Sequence, residues 1–263
     1  MRIAAGIEYD GAGYAGWQYQ SHSPSVQEQV QIALGRVANE PVTVHCAGRT
    51  DTGVHALQQV IHFDTEAVRS ERSWLLGANS NLPDDVAIQW ARQVDADFHA
   101  RFSATARRYR YIILNRPTRS AVLSGKVVVI RPPLDAGAMN QAAQALAGEH
   151  DFSSFRAQGC QARHPNRCVL AISVSRRDDF VYLDIAANAF LHHMVRNIAG
   201  ALIEVGKGER APEWIAELLA LRDRKQGGVT APPGGLYLVG VDYPERFGLP
   251  VPPSPIGFTG QKS

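Results

Sequence analysis

Residues 42–63 read VTVHCAGRTDTGVHALQQVIHF. Val42, Val44 and Cys46 alternate with Thr43 and His45, the period of a half-buried strand. Gln59 to Phe63 reads as a second strand. Between them lies a polar loop, Gly48-Arg-Thr-Asp-Thr-Gly53, rich in turn formers. Two strands around one loop form the centre of a larger pattern. On the N-terminal side, Ile3 to Tyr9 reads as a strand, and Ser25-x-x-Glu28 is a capping box. The box opens a helix with Val26, Val30, Ala33, Leu34 and Val37 on one face. On the C-terminal side come a helix around 70–78 and a strand around 86–90. The order β-α-β-β-α-β is that of a split βαβ, or ferredoxin-like, unit.

The rest of the chain repeats that order loosely. Residues 107–114 alternate into a strand rich in Arg and Tyr, and Asp135 caps an alanine-rich helix running to about Ala147. Strands are expected at 169–175 and 181–186, and an apolar helix at 190–205 stopped by Gly206 and Gly208. A helix at 213–221 and a last strand at 236–241 complete the series, and a Pro- and Gly-rich tail follows Phe247. The expected domains are 1–105, carrying the polar loop, and 106–263. The chain has 263 residues, 45% of them apolar and 20% charged, which suits a folded core and excludes disordered or fibrous classes.

No apolar run reaches the roughly 20 residues a spanning helix needs. The start, MRIAAGIEYDG, has no signal-like apolar stretch. Cys46, Cys160 and Cys168 form no C-x-x-C pair, so free thiols and a reducing cytoplasmic setting are expected.

The formal net charge of +2 conceals an uneven distribution. Residues 1–97 carry 6 basic and 12 acidic side chains, whereas 98–263 carry 21 and 13. No acid lies between Asp97 and Asp135, nor between Asp151 and Asp178, and both windows are rich in arginine. Of the 27 basic residues 23 are Arg, whose planar fork binds phosphate bidentately and stacks on bases. A solvated charged face accounts for an isolated Arg run. Two long acid-free windows, the first also holding Tyr109 and Tyr111, point instead to a polyanion such as nucleic acid.

Several catalytic patterns fail on inspection. Gly11-Ala-Gly13-Tyr-Ala-Gly16 fits G-x-G-x-x-G, but a dinucleotide fold needs those glycines to open a helix directly. Here they run into a polar stretch ending at Pro24, so the expectation is a flexible loop presenting Tyr14 and Trp17. No P-loop motif and no G-x-S-x-G elbow occurs. His192-His193, read as lying on a helix, diverge by about 100°, so no metal site is expected, one ring facing solvent or phosphate and the other packing. The loop at 48–53 is either a plain turn or a site. Arg49 stands two residues from the lone carboxylate Asp51 and would keep it ionised, and an ionised, positioned carboxylate is a competent nucleophile.

GRTDTGVHA resembles the signature loop of the TruA family of tRNA pseudouridine synthases. YDGAGYAGWQ, SVQEQ, NLPDDVA, FHARFSATARRYRYII, DFSSFRA, NAFLHHMVRNIAG and GLYLVGVDYP are similar to family segments in family order. The resemblance implies an isomerase that turns uridine into pseudouridine at positions 38, 39 and 40 of the tRNA anticodon stem-loop, without metal or cofactor. It implies Asp51 as the catalytic aspartate and Arg49 as the arginine that pairs with it and helps hold the displaced nucleotide. It implies Tyr109 as the tyrosine stacking on the target base and Leu236 as the apolar residue closing the pocket. It further implies a cytoplasmic homodimer acting on tRNA. The implied α+β fold has two ferredoxin-like halves joined in one mixed, mainly antiparallel sheet, with helices on one face and a central active-site cleft. Arg101, Arg107, Arg108, Arg110, Arg163, Arg167 and Arg196 are the candidates for the RNA path. A non-catalytic ferredoxin-like RNA-binding module is the main rival, and it has no need of Asp51.

Overall fold

The computed structural model describes residues 1–250, so most of the expected tail lies outside the described residues. In chain order the elements are β1 (Arg2–Tyr9), α1 (Val26–Ala38), β2 (His45–Cys46), β3 (His55–Asp64), α2 (Glu71–Asn79) and β4 (Val86–Val94). Then come β5 (Ala106–Asn115), β6 (Val128–Ile130), α3 (Ala136–Ala143), β7 (Gly148–Asp151), β8 (Asn166–Arg177) and β9 (Phe180–Ala187). The series ends with α4 (Met194–Gly206), α5 (Trp214–Leu221) and β10 (Leu236–Asp242). The fold is α+β, with mixed and mainly antiparallel strand pairing.

Two compact units divide the chain. Among the described residues, Met1–Arg107 clusters with 237–250, and Arg108–Leu236 forms the other unit. In the first unit the sheet runs β4-β1-β3, with both neighbours of β1 antiparallel. Because β1 covers one edge of β3 from Ala56 to Asp64, the other edge is left to two short partners. Antiparallel β2 takes the positions at Ile61 and His62, and parallel β10 takes those at His55 and Ala56. Strand order β4-β1-β3-β2 is the ferredoxin-like arrangement expected from the sequence.

Helices α1 and α2 pack on each other and on β4. The Ser25 hydroxyl caps α1 by accepting from the Glu28 amide, and Ser70 caps α2 at Ser73. The apolar stripe of α1 (Val26, Val30, Ala33, Leu34) is buried, while Val37 is half-buried. Trp17, Phe63 and Trp74 of the same unit are each almost fully enclosed.

In the second unit the sheet order is β5-β9-β8-β7, with parallel β6 on β5. Helix α3, capped by Asp135 as the sequence indicates, packs on β8 and α4. Every residue of α4 except Arg196 and Glu204 is buried, so the helix is apolar nearly all round.

Three local expectations change. Strand β2 keeps only His45 and Cys46, although Val42 and Val44 are buried as their alternation requires. Strand β7 passes unnoticed in the sequence because Gly148-Glu-His-Asp151 carries no apolar side chain. Helix α4 starts at Met194, not Phe190, because His193 takes a left-handed backbone (φ 60°) that a helix cannot continue through. His192 and His193 therefore sit before the helix. Their ring centroids are 4.0 Å apart, so the divergence expected of helical neighbours does not apply.

Candidate active site

The loop joining β2 to β3 is held along its whole length by the first unit. Its first turn is fixed by the buried Gln59, whose amide donates to the Gly48 carbonyl and accepts from the Gly48 amide. The Ala47 amide donates to Val60, and the Ala47 carbonyl accepts from the Arg107 guanidinium. Thr50 is buried, and its hydroxyl lies 2.7 Å from the Tyr9 hydroxyl. The Thr50 carbonyl accepts from the Trp17 amide at 3.1 Å. Past the turn, the Val54 amide reaches back to the Asp51 carbonyl at 3.1 Å, and the Gly53 amide donates to Tyr14.

Trp17 and Tyr14 come from the glycine-bearing segment after β1, and the structure overturns the expectation that this segment presents them. Trp17 is 1% exposed and Tyr14 7%. The Tyr14 hydroxyl donates to Asp85, and burial together with that carboxylate raises its pKa. The glycines allow backbone to lie on backbone. A Cβ on Gly16 would stand 2.7 Å from the Thr50 carbonyl oxygen, and Gly16 also has φ +103°, where side chains are strained. A Cβ on Gly11 would fall 1.9 Å from the Val54 carbonyl oxygen. The G-x-G-x-x-G pattern thus supports the polar loop from beneath.

Asp51 is half-buried at the tip of this supported loop, and it is the one carboxylate between Ala47 and Ala56. Arg49 is exposed. The alternation that sends Thr50 inward points Arg49 to solvent. Cys46, the nearest thiol in sequence, has its pKa pushed up to about 11 by burial, against the opposing charges of Arg49 and Arg101. At neutral pH it is a protonated thiol and not a competing nucleophile.

In the second unit Tyr109 is buried in β5, and its ring meets Phe190 edge to face at 5.0 Å. Leu236 is buried at the start of β10. The arginines expected along an RNA path separate into two kinds. Arg101, Arg108 and Arg163 are exposed. Arg107 is buried, and its guanidinium donates to the carbonyls of Ala47, Arg101 and Ala104. Arg110 forms a two-pronged pair with Asp184 at 2.7 and 2.8 Å and lies over the Tyr182 ring. Arg196 donates to the Ala231 carbonyl and Arg167 to that of His164. Desolvation lowers the pKa of Arg167. Arg107 is thereby a loop anchor in the fold, a role that charge counting cannot distinguish from phosphate binding.

Sequence reasoning missed the supports of the loop. Tyr9, Trp17 and Gln59 are each uninformative alone, since an aromatic or a Gln in a strand has many uses. The signal was collective: Thr50 and Gln59 are polar residues at buried positions, and buried polar groups need partners.

The model of the tRNA pseudouridine synthase family matches residues 5–103 and 142–244. A tRNA pseudouridine synthase A of Methylococcus capsulatus is 62% identical over 249 residues, covering 95% of this chain and 92% of that protein. Proteins of the same name from Shewanella woodyi and Aeromonas hydrophila are 59% and 60% identical, over 95% and 96% of this chain and 96% and 94% of theirs. A solved chain from a Cbf5-Nop10-Gar1 complex aligns with a TM-score of 0.31 at 10% identity, over 76% of this chain and 54% of that one, too slight a likeness to bear on the fold. With a family match across most of its length and relatives near 60% identity, the chain belongs to the tRNA pseudouridine synthase family, isomerases that convert uridine to pseudouridine in tRNA.

Proposed function

We propose that this enzyme acts on uridines 38, 39 and 40 of the tRNA anticodon stem-loop, with Asp51 as its nucleophile. The observation that carries the reading is the loop around Asp51. Its backbone is tied to Tyr9, Tyr14, Trp17, Gln59 and Arg107, while the carboxylate stays half-open at the tip. A rigid support of this kind suits a group that must meet one carbon atom of a substrate.

The isomerisation breaks the bond between uracil N1 and ribose C1′, turns the base, and joins C5 to C1′. The proton displaced from C5 leaves to base or solvent, and N1 ends protonated, so the formula is unchanged. A carboxylate assists by attacking C1′ or C6, or by taking the C2′ proton in a glycal route. No oxidant, metal or second substrate is required in any of the three. Tyr109, with its ring edge-packed on Phe190, serves as the stacking surface that holds the freed uracil. Stacking of a base on an aromatic is worth about 1–3 kcal/mol. Arg49 holds the displaced nucleotide by its phosphate, and Leu236 closes the base pocket.

A stem uridine must leave its helix to reach Asp51, at a cost of a few kcal/mol. Phosphate contacts by Arg101, Arg108 and Arg163 offset that cost. The working form is a cytoplasmic homodimer. The test uses purified protein and unmodified tRNA with no cofactor added, and locates pseudouridine by position. Product at 38–40 from the parent and none from Asp51→Asn is the expected result. Full activity in that variant, or product elsewhere, overturns the assignment.

A further inference from the structure

The loop between β4 and β5, residues 95–105, is pinned at nearly every peptide. Phe98 is its buried anchor, packed on Tyr243 and Phe247 at 5.2 and 5.0 Å between centroids. Arg2 donates to the carbonyls of Ala96 and Phe98, Tyr243 to that of Ala100, and Arg107 to those of Arg101 and Ala104. The Ala100 amide donates to His62 Nδ1, and the Arg101 and Phe102 amides to His99 Nδ1. The His99 amide donates to the Ser103 hydroxyl, and the Ser103 amide to the His99 carbonyl.

On this fixed loop Phe102 stands 76% exposed, the most exposed Phe, Tyr or Trp side chain among the described residues. A mobile loop could fold such a ring away; a pinned one holds it in water. The His99 ring lies against it, with centroids 4.3 Å apart and planes tilted by 37°. The Arg101 guanidinium lies 5.6 Å from the Phe102 centroid. Exposed His45 extends the aromatic surface, 5.6 Å from His99, and buried His62 backs both rings. The charged groups acting on His99 are His45, Arg2 and Arg101, all of them bases. The acids nearby are occupied, Asp64 by Arg2 and Asp97 by Arg246.

We propose that the Phe102–His99 face, with Arg101 beside it, is a platform on which an unpaired tRNA base stacks while Arg101 takes the adjoining phosphate. The proposal rests on tRNA being the substrate. An aromatic face bordered by a guanidinium and by imidazoles matches a nucleotide, which offers a π-face next to an anion. A purely apolar protein partner would leave the Arg101 guanidinium desolvated and without a counter-charge.

The test compares Phe102→Ala, Phe102→Leu, Phe102→Tyr and Arg101→Ala with the parent. It records tRNA affinity over a salt series, kcat and KM for pseudouridine formation, Tm, and mass by sedimentation. The Ala and Leu variants are expected to bind tRNA about 5- to 100-fold more weakly, with kcat at saturating tRNA, Tm and mass unchanged. The Tyr variant is expected to bind like the parent, and Arg101→Ala to lower the salt slope by about 1. Unchanged affinity in Phe102→Ala overturns the proposal. So does parent-like affinity in Phe102→Leu alone, which indicates apolar packing, or an altered mass, which makes the patch an interface between copies of this chain. If the parent forms no pseudouridine, the function itself fails. If it does and the Phe102 variants bind normally, only the platform fails.

Discussion

At the scale of single residues, Asp51 is set by its neighbours Thr50 and Tyr9. Their hydroxyls face each other at 2.7 Å in the core, so the bond fixes the peptide on which Asp51 sits. Tyr9→Phe removes one partner and leaves a buried hydroxyl, at a cost of about 1–3 kcal/mol in stability. It also lets the peptide before Asp51 shift. Misplacement of a catalytic group by about 1 Å can cost on the order of a hundredfold in rate. The expected result is therefore a fall of about tenfold or more in kcat with KM nearly unchanged, and Thr50→Ser retaining parent kcat. A purely structural role would lower Tm alone, and unchanged kcat in Tyr9→Phe sinks the positioning argument. Asp51 stood out in the sequence as a candidate, a lone carboxylate among turn formers beside an arginine, although the residues alone left the loop open between a turn and a site. Its supports were not, because Tyr9 and Trp17 lie more than thirty residues away and meet the loop only through tertiary contact.

At the scale of elements, β3 shows where pattern reading stops. Its end, Gln59 to Phe63, was visible, but the strand begins at His55 and runs through Gln58 before Gln59. Those polar side chains are buried, and Gln59 holds the neighbouring loop at Gly48, so the alternation that marks a strand is broken where a side chain serves that loop. His62 is a further case. Burial, reinforced by His99, His45 and Arg2, lowers its pKa to about 4, and its Nδ1 accepts from the Ala100 amide. The unfolded chain binds a proton at His62 near pH 6.5 and the folded chain does so only near pH 4. Between those values the unfolded state holds more protons, so stability rises with pH across the window and is lost as pH falls. The shift corresponds to about 3–4 kcal/mol at most. Denaturant unfolding of the parent is expected to weaken steadily from pH 6.5 to pH 4, and His62→Asn to flatten that part of the profile. An unaltered slope in the variant assigns the acid sensitivity to other groups.

At the scale of the whole molecule, the two acid-free windows were correctly seen as arginine-rich, yet one-dimensional charge does not say where a guanidinium points. Arg107 and Arg108 are adjacent in β5, and strand alternation sends one into the core and the other to solvent. Arg110 is committed to Asp184. Electrostatic grip on tRNA is therefore expected from far fewer arginines than the 23 in the chain. Each phosphate contact releases condensed counterions, so losing one lowers the slope of log affinity against log salt by about 0.7–0.9. Arg108→Ala and Arg163→Ala, each combined with the parent background, are expected to weaken tRNA binding and flatten that slope while leaving Tm within about 1 °C, as exposed substitutions do. Arg107→Ala is expected to do the reverse. It strips a partner from the buried Ala47 carbonyl and from the part-buried carbonyls of Arg101 and Ala104, so Tm falls, and loss of activity follows from the loosened loop before any change in salt slope. If Arg107→Ala keeps the parent Tm but flattens the salt dependence as Arg108→Ala does, the division between anchoring and phosphate-binding arginines is wrong.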